Sequence, residues 1–262
     1  DEHRFDVNGA DGGLAHAGLV SPKGGVALGP FKRTELYANA GLGYHSNDAR
    51  TVTAVRMHPL ARAKGAEVGV RTRAVPHLQT TVALWRLDLA SELVFVGDAG
   101  TTESGRPSHR HGVEISNNYS ANPWLTFDAD LAISRARFAD LDPVGSDVPG
   151  AVENVASAGA TVDSLHNVFG SIRVRYFGSR PLVEDNSVRS TPTTMVNVEG
   201  GYQIRSNLKL ALDVFNLLNA SDSDIDYYYP SRLANEPTGG VDDIHFHPAM
   251  PRTARLTLVV GF

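Results

Sequence analysis

Hydrophobic and polar residues alternate with a period of two over much of this chain. The clearest alternating segments are residues 36–44, 66–73, 125–134, 168–176, 208–214 and 254–262. In the segment 208–214, four apolar residues alternate with Lys209, Ala211 and Asp213. Successive side chains of an extended strand point to opposite sides, so this spacing gives each segment one apolar and one mixed or polar face. The pattern predicts an all-β protein.

The segments between the predicted strands are alternately short and long. Short connections rich in Gly, Pro, Asn, Asp or Ser, as tight turns require, occur at 29–33, 75–78, 121–123, 163–166 and 205–207. Long connections separate them, the longest running from residue 219 to 251. A transmembrane β-barrel places its short turns at one end and its long loops at the other. We therefore predict an antiparallel, up-and-down transmembrane β-barrel with about twelve strands in this chain.

Composition narrows the functional classes. The 262 residues carry a formal net charge of -5 and no cysteine, which argues against a nucleic-acid surface and excludes disulfides and thiolate chemistry. No apolar run approaches the roughly 20 residues of a membrane-spanning helix. The first residues lack the charged and apolar segments of a signal peptide. Either such a peptide has been removed or the chain begins partway through a longer protein, and we expect the second.

The sequence lacks three common catalytic signatures. The sequence contains no G-x-S-x-G, no H-E-x-x-H and no phosphate-loop pattern. Each of these motifs has a defined catalytic or binding role in its enzyme class. We therefore predict a protein that performs no enzymatic chemistry and needs no cofactor.

Five segments stand out by their order and spacing. They are LYANAGLGYHSNDAR at 36–50, VRYFGSRPLVEDNSVRS at 174–190, LALDVFNLLN at 210–219, DIDYYYPSRL at 224–233 and VDDIHFHPAMPRTARLTLVVGF at 241–262. Together they resemble the carboxy-terminal half of a TonB-dependent outer-membrane receptor. The NLLN segment, Asn216 to Asn219, and the terminal aromatic residue are the most general of these features.

The resemblance implies a receptor that imports a scarce nutrient, such as a ferric siderophore or cobalamin, across the bacterial outer membrane. Complete receptors of this family hold an amino-terminal plug inside a barrel of about twenty-two strands. We expect residues 1–262 to form one domain, the carboxy-terminal portion of such a barrel. The plug domain, and with it the contact with TonB, would lie outside this sequence.

Two alternatives remain open at this point. A passive outer-membrane pore would have the same strands, with the polar face lining an open channel. A secreted soluble β module that binds a ligand with its loops would share the alternation of apolar and polar residues, because soluble sheets also have two unlike faces.

Four arginines in strand-alternating pairs are candidates for ligand binding: Arg71, Arg73, Arg173 and Arg175. A charge on the lipid face near the membrane midplane costs roughly 2 to 4 kcal/mol, so these side chains are expected in the lumen. There they could attract an anionic ligand or contact the plug. They could instead pair with carboxylates of the same face, which are Glu67, Glu114, Asp128, Asp130, Glu199 and Asp213.

The last long loop contains an aromatic cluster, Tyr227, Tyr228 and Tyr229, followed by Pro230. Tyrosine rings present both an apolar face and a polar hydroxyl, which suits a ligand-binding platform. Loops of a rigid scaffold often carry such sites, although simple packing of the loop explains the cluster equally well.

His245 and His247 lie two residues apart, so on an extended segment both imidazoles face one way, with Asp242 and Asp243 nearby. Two imidazoles and a carboxylate are a ligand set for zinc or a similar ion. The competing interpretation is a loop ordered by hydrogen bonds. A second pair, His109 and His111, repeats the spacing, and the sequence does not place the two pairs together.

The chain ends on Phe262, at the apolar side of the last predicted strand. In a barrel this ring would lie in the aromatic belt at the periplasmic interface. The resemblance implies that Phe262 is an assembly signal recognised by the barrel-assembly machinery. The alternation of connections likewise predicts that Arg205 to Asn207 lies in the periplasm and Ser221 to Pro251 outside the cell.

Overall fold

The computed structural model of the chain describes residues 2–7, 13–47, 52, 58–96 and 101–261. These residues form seventeen β-strands. The strands are β1 (Glu2–Val7), β2 (Gly13–Gly18), β3 (Lys23–Phe31), β4 (Thr34–Ser46), β5 (Leu60–Thr72), β6 (Leu78–Leu89), β7 (Leu93–Val96), β8 (Thr101–Ser104), β9 (Ser108–Asn122), β10 (Leu125–Phe138), β11 (Asn154–Leu165), β12 (Val168–Phe177), β13 (Thr193–Arg205), β14 (Leu208–Phe215), β15 (Ser223–Ser231), β16 (Val241–Pro248) and β17 (Thr253–Val260). In this part of the chain no helix is long and apolar enough to cross a membrane.

Eleven strands form one antiparallel sheet in the order β17, β14, β13, β12, β11, β10, β9, β6, β5, β4, β3. Strands that follow each other along the chain are neighbours in this sheet, apart from two insertions. The hairpin β7–β8 lies between β6 and β9, and the hairpin β15–β16 lies between β14 and β17. The prediction of an all-β, up-and-down antiparallel sheet is confirmed, with eleven strands in the sheet where about twelve were expected.

The connections alternate between short turns and long loops, as predicted. Five short turns join β3–β4, β5–β6, β9–β10, β11–β12 and β13–β14 at one end of the sheet, here called the turn end. The turns at Lys32–Arg33 and His166–Asn167 have positive φ at both residues, which matches the twist of the flanking strands in a two-residue hairpin. The long connections all lie at the opposite end, the loop end.

One face of the sheet carries a belt of exposed apolar side chains. Neighbours in the strand register form continuous rows across β4, β5, β6, β9 and β10: one row is Leu36, Val70, Val82, Ile115 and Leu131, and the next is Ala38, Val68, Leu84, Val113 and Ile133. Leu84 keeps 57% of its surface exposed and Leu212 keeps 45%. A sheet that leaves a broad apolar area uncovered on one whole face is suited to contact with lipid. We call this the outward face.

The inward face carries the polar partners of the same strands. Arg173 donates to both carboxylate oxygens of Asp128, at 2.7 and 2.9 Å, and Arg255 lies 3.0 Å from Asp213. Asp130 accepts hydrogen bonds from Ser116 at 2.6 Å and Ser157 at 3.2 Å. Charged groups are thus neutralised or solvated on the side that faces away from the apolar belt, as expected of the lumen of a barrel.

The NLLN segment explains how β14 ends and β17 begins. Asn216 and Asn219 both have positive φ, 48° and 52°, a conformation that asparagine tolerates better than most residues. Asn216 is 3% exposed, and its amide donates to the carbonyls of Ala220 at 2.9 Å and Met250 at 3.0 Å. Asn219 accepts from the backbone N–H of Arg252 at 3.0 Å. The two asparagines therefore stop β14 and fix the start of the final strand.

The final strand pairs with β14 from Leu208↔Val260 to Phe215↔Thr253. Phe262 lies outside the described residues, so its proposed part in assembly stays a prediction. The compact apolar core of the chain is small and lies at the loop end, where Ala136, Phe138 and Val148 are buried together.

Candidate functional site

A cavity of about 860 Å³ opens at the loop end of the inward face. Its walls come from six parts of the chain: Arg110 of β9, the segment 148–152, the end of β12, the loop containing Arg180, the start of β13, and strand β15. Ligand pockets of drug-sized molecules commonly have volumes of roughly 300 to 1,000 Å³. The cavity is therefore large enough for a small molecule, and it lies where the barrel lumen meets the loops.

The hairpin β15–β16 forms one wall and is tied to the barrel by a buried ion pair. The guanidinium of Arg180 lies 3.3 Å from the carboxylate of Asp226, and the two side chains are 8% and 4% exposed. Two further contacts hold the first residues of the hairpin: Thr193 donates to the carbonyl of Ser223 at 3.0 Å, and the N–H of Thr194 donates to Asp222 at 2.7 Å. These bonds bring β15 against the start of β13.

The three consecutive tyrosines line this cavity. Tyr227 and Tyr229 alternate with Tyr228 along β15, so two rings lie on one side of the hairpin and one on the other. Tyr229 is stacked on His245 of β16, with ring centroids 3.9 Å apart and planes 17° apart. The stacked pair gives the wall a rigid aromatic surface, which suits contact with a planar ligand group.

Arg175 is the distinctive charged group of the cavity. Its guanidinium lies 5.6 Å from the centroid of the Phe177 ring, and within the described part of the chain it has neither an ion pair nor a side-chain hydrogen bond. The other two arginines of the wall are neutralised, Arg180 by Asp226 and Arg110 by Glu92 at 2.9 Å. Arg175 is therefore available to form charge-assisted, two-pronged hydrogen bonds with an anion.

The other arginines singled out by the sequence lie elsewhere. Arg71 pairs with Glu35 at 3.2 Å, and Arg73 donates to Gln79 at 2.8 Å. Both line a second cavity of about 760 Å³ at the turn end.

Arg173 is fully engaged with Asp128, one of the carboxylates expected to pair with an arginine. Of the four predicted arginines, the structure brings only Arg175 together with the predicted tyrosines.

The histidines of β16 share one face, as the sequence predicted. His247 Nδ1 lies 3.8 Å from Asp224, whereas the buried Nε2 of His245 has no hydrogen-bond partner among the residues that the structure describes. No group of three or more metal-ligating side chains converges anywhere in the described ranges. The metal site at His245 and His247 therefore stays a prediction supported by two imidazoles only.

The second histidine pair lies on a different element. On β9, His109 is opposite Asp88 and Arg137 in the register, and His111 is opposite Arg86 and Arg135. These side chains belong to the outward face, away from the cavity.

Sequence reasoning missed two wall residues, Arg110 and Arg180. Arg110 stands between His109 and His111, and its place on the inward face follows from the alternation of β9. The sequence therefore contained the information needed to place Arg110 on the inward face. Arg180 gave no comparable signal, because its partner Asp226 is 46 residues away and both lie in irregular or inserted segments.

An antiparallel sheet with an apolar outward face, a polar inward face and short turns opposite long loops has the architecture of a transmembrane β-barrel wall. The sequence matches the family described as TonB dependent receptor-like, beta-barrel, over residues 1–217. The chain belongs to this family, which consists of receptors and transporters. Comparison with curated protein sequences gives no match.

Solved structures of other proteins share the fold. The ferric-catecholate import receptor Fiu from E. coli K12, in its closed form, is 19% identical, with a TM-score of 0.66 over 100% of this chain and 40% of its own. The ferric yersiniabactin uptake receptor FyuA from Yersinia pestis is 16% identical, with a TM-score of 0.71 over 96% of this chain and 39% of its own. The siderophore receptor PiuA from Acinetobacter baumannii is 15% identical, with a TM-score of 0.67 over 99% and 38%. The chain spans about two fifths of the length of these receptors.

Proposed function

We propose that this chain forms the carboxy-terminal barrel portion of a bacterial outer-membrane receptor for TonB-dependent uptake of an anionic iron complex, such as a ferric siderophore. The turn end faces the periplasm, the loop end faces the outside of the cell, and the cavity at the loop end receives the ligand. The observation that carries the proposal is Arg175, a cation beside Tyr227, Tyr228 and Tyr229 that has no carboxylate partner among the described residues.

The chemistry of the cavity favours an anionic, partly aromatic ligand. An arginine fork matches the geometry of carboxylate or phenolate oxygens, and tyrosine rings bind flat apolar groups. The names of the structural neighbours agree with this choice, since Fiu is a ferric-catecholate receptor and FyuA a ferric yersiniabactin receptor. The proposed role is binding and transport, with no enzymatic step and no cofactor.

Energised transport requires more than this barrel segment. In our proposal a plug domain inside the completed barrel supplies the contact with TonB, and the barrel-assembly machinery inserts the protein into the outer membrane. The described residues contribute the lipid-facing wall and the outer part of the ligand site. A passive pore does not require Arg175 to bind a ligand. Ligand binding is therefore the property that distinguishes a receptor from a passive pore.

Ligand binding by the protein purified from outer membranes tests the proposal. The probes are ferric citrate and the iron complex of 2,3-dihydroxybenzoate, both anionic, with binding followed by quenching of tryptophan fluorescence. Removing the charge with Arg175→Gln should weaken binding of at least one probe by roughly ten-fold or more, because a charge-assisted hydrogen bond contributes about 1.5 to 3 kcal/mol. Arg73→Gln, a matched change at the turn end, should leave binding unchanged.

Two results would contradict the proposal. If the parent protein binds neither complex but admits uncharged sugars into liposomes in proportion to their size, the barrel is a passive pore. If both variants weaken binding equally, the site is not the cavity around Arg175.

A further inference from the structure

Arg180 is the most deeply buried arginine in the wall of the cavity. Its side chain is 8% exposed, compared with 32% for Arg110. The backbone around it is held in place by Ser190. The N–H of Arg180 donates to the hydroxyl of Ser190 at 3.0 Å, and the N–H of Ser190 donates to the carbonyl of Arg180 at 3.0 Å. The guanidinium is therefore presented to the cavity from a fixed backbone position.

The ion pair with Asp226 uses little of this guanidinium. An arginine side chain has five N–H donors. The side chain of Arg180 donates one hydrogen bond, from Nη2 to Asp226 at 3.3 Å, and it has no other acceptor within the described ranges of the chain. Buried polar groups are normally hydrogen-bonded. Asp226 thus cancels the charge of Arg180 but leaves most of its hydrogen-bonding capacity unused.

Two other arginines at the loop end are engaged more fully. Arg110 holds Glu92 through two hydrogen bonds, at 3.0 and 2.9 Å. Arg106 donates to both oxygens of Asp140, at 2.7 and 2.8 Å, and to two further acceptors. These arginines stabilise the loops through several protein acceptors each. The remaining donors of Arg180 instead suit an acceptor that enters from the cavity, which Arg180 lines.

Arg180 lies close to Arg175 along the chain, and both side chains line the same cavity. They are five residues apart, so their Cα atoms are separated by no more than about 17 Å even where the backbone is fully extended. Each of these long side chains brings its charge several ångströms into the cavity. A single ligand can therefore contact both cations, each with a different part of its surface.

We propose that Arg180 is a second anion subsite of the cavity, and that the ligand presents two anionic groups, one to Arg175 and one to the free donors of Arg180. Carboxylate and phenolate oxygens fit these donors, because an arginine fork forms charge-assisted hydrogen bonds with them. Asp226 limits the affinity, since its carboxylate and the anionic group of the ligand repel each other beside one shared cation. This inference rests on the proposed function, whose cavity it divides into two subsites.

Binding of ferric citrate and of the iron complex of 2,3-dihydroxybenzoate to the protein purified from outer membranes tests the second subsite. Arg180→Met combined with Asp226→Leu removes the subsite but leaves no uncompensated charge, so the hairpin β15–β16 should stay docked. This double variant should bind roughly ten-fold or more weakly than the parent, because a charge-assisted hydrogen bond is lost. Arg255→Met combined with Asp213→Leu removes an inward-facing ion pair outside the cavity and should leave binding unchanged.

Asp226→Asn distinguishes a binding role of Arg180 from a merely structural one. Asparagine keeps an oxygen that accepts the hydrogen bond from Arg180 but carries no charge. The variant should bind the iron complexes roughly five-fold or more tightly than the parent, because the like charge beside the ligand is gone. If the ion pair served only to dock the hairpin, the same change would weaken binding or leave it unchanged.

The number of anionic groups on the ligand is tested by adding Arg175→Gln to the double variant Arg180→Met, Asp226→Leu. Because the two cations contact different groups of the ligand, the two losses of affinity should multiply. A combined loss no larger than the loss from Arg175→Gln alone would place both arginines on one anionic group and would overturn the second subsite.

Docking of the hairpin is checked by hydrogen exchange in β15. Unchanged affinity in the double variant, with β15 protected, would overturn the subsite and leave the proposed function intact if Arg175→Gln still weakens binding. If β15 loses protection in the double variant, Asp226→Asn decides, and weaker or unchanged binding by that variant contradicts the subsite. Failure of the parent to bind either iron complex would contradict the proposed function first, and the second subsite with it.

Discussion

The sheet and the assembly of loops at its loop end are held together in different ways. In the sheet, each strand pairs with its neighbour over seven or more residues, and even large side chains such as Leu84 remain exposed. The loops instead depend on a small apolar core around Phe138 and on a few buried polar contacts, among them Arg180–Asp226 and the carbonyl contacts of Asn216. The stability of the sheet is therefore distributed over many residues, whereas that of the loops is concentrated in a few.

Breaking the Arg180–Asp226 pair should produce the largest effect. In Arg180→Ala the carboxylate of Asp226 is left buried without a counter-charge, which costs about 3 to 5 kcal/mol in comparable pairs. We expect the hairpin β15–β16 to undock while the sheet stays intact. Hydrogen exchange should show lost protection in β15 and unchanged protection in β10.

The matched control for this change removes both charges. Arg180→Met combined with Asp226→Leu should recover most of the protection, because no uncompensated charge remains. Full protection of β15 in the single variant would show that the ion pair does not hold the hairpin.

A charge introduced on the outward face should cause the next largest loss of stability, and the loss should affect the sheet and not the loops. Leu212 lies on the apolar face of β14, so Leu212→Arg should lower folding stability by about 2 to 4 kcal/mol if the position is near the midplane. Val259→Arg, on the inward face of β17, should have a much smaller effect. The measurement is the free energy of folding into lipid vesicles from urea, and equal stability of the two variants would contradict the membrane assignment.

The smallest expected effect is the dependence of loop stability on pH. Arg106 donates to both oxygens of Asp140, at 2.7 and 2.8 Å, and this contact lowers the pKa of Asp140 from its ordinary value of 3.8. A lowered pKa in the folded state means that the contact stabilises the loop fully above pH 3.8 and is lost as the pH falls through the depressed value.

Hydrogen exchange of residues 139–147 between pH 5 and pH 2.5 measures this dependence. Protection in the parent should be constant at the upper end of the range and decline at the lower end. Asp140→Asn should be less protected at pH 5 and should lack that component of the pH dependence. A decline of the same size in both proteins would assign the pH response to other carboxylates.

The same contrast explains how far the sequence predicted the structure. The two faces of the sheet and the alternation of turns and loops both follow from a period of two and from turn composition. The inserted hairpins β7–β8 and β15–β16 do not follow from these patterns. In each of them, two short strands pair only with each other inside a long connection. The central sheet has eleven strands where about twelve were expected, because part of the β-structure lies outside this sheet.

For the cavity, the sequence identified side chains but not their grouping. Tyr227 and Arg175 were recognised because one is part of a conspicuous cluster and the other lies on the polar side of an alternating strand. The separation of Arg175 from Arg71 depends on which end of the strand each occupies. The contact between Arg180 and Asp226 depends on the path of two loops, and no periodic pattern encodes that path.

The odd number of strands in the central sheet restricts how it can be completed. In an antiparallel sheet of eleven strands, the first and the last run in the same direction. Joining β3 directly to β17 would bring two parallel strands together. Joining the sheet to a second identical sheet in the same membrane orientation would do so at both junctions.

Only an additional arc with an odd number of strands gives every junction antiparallel neighbours. An arc of eleven meets this condition and brings the total to the twenty-two strands known for plugged outer-membrane transporters. The parity of the sheet thus excludes closure of its eleven strands on themselves, or on an identical sheet in the same orientation, as an all-antiparallel barrel.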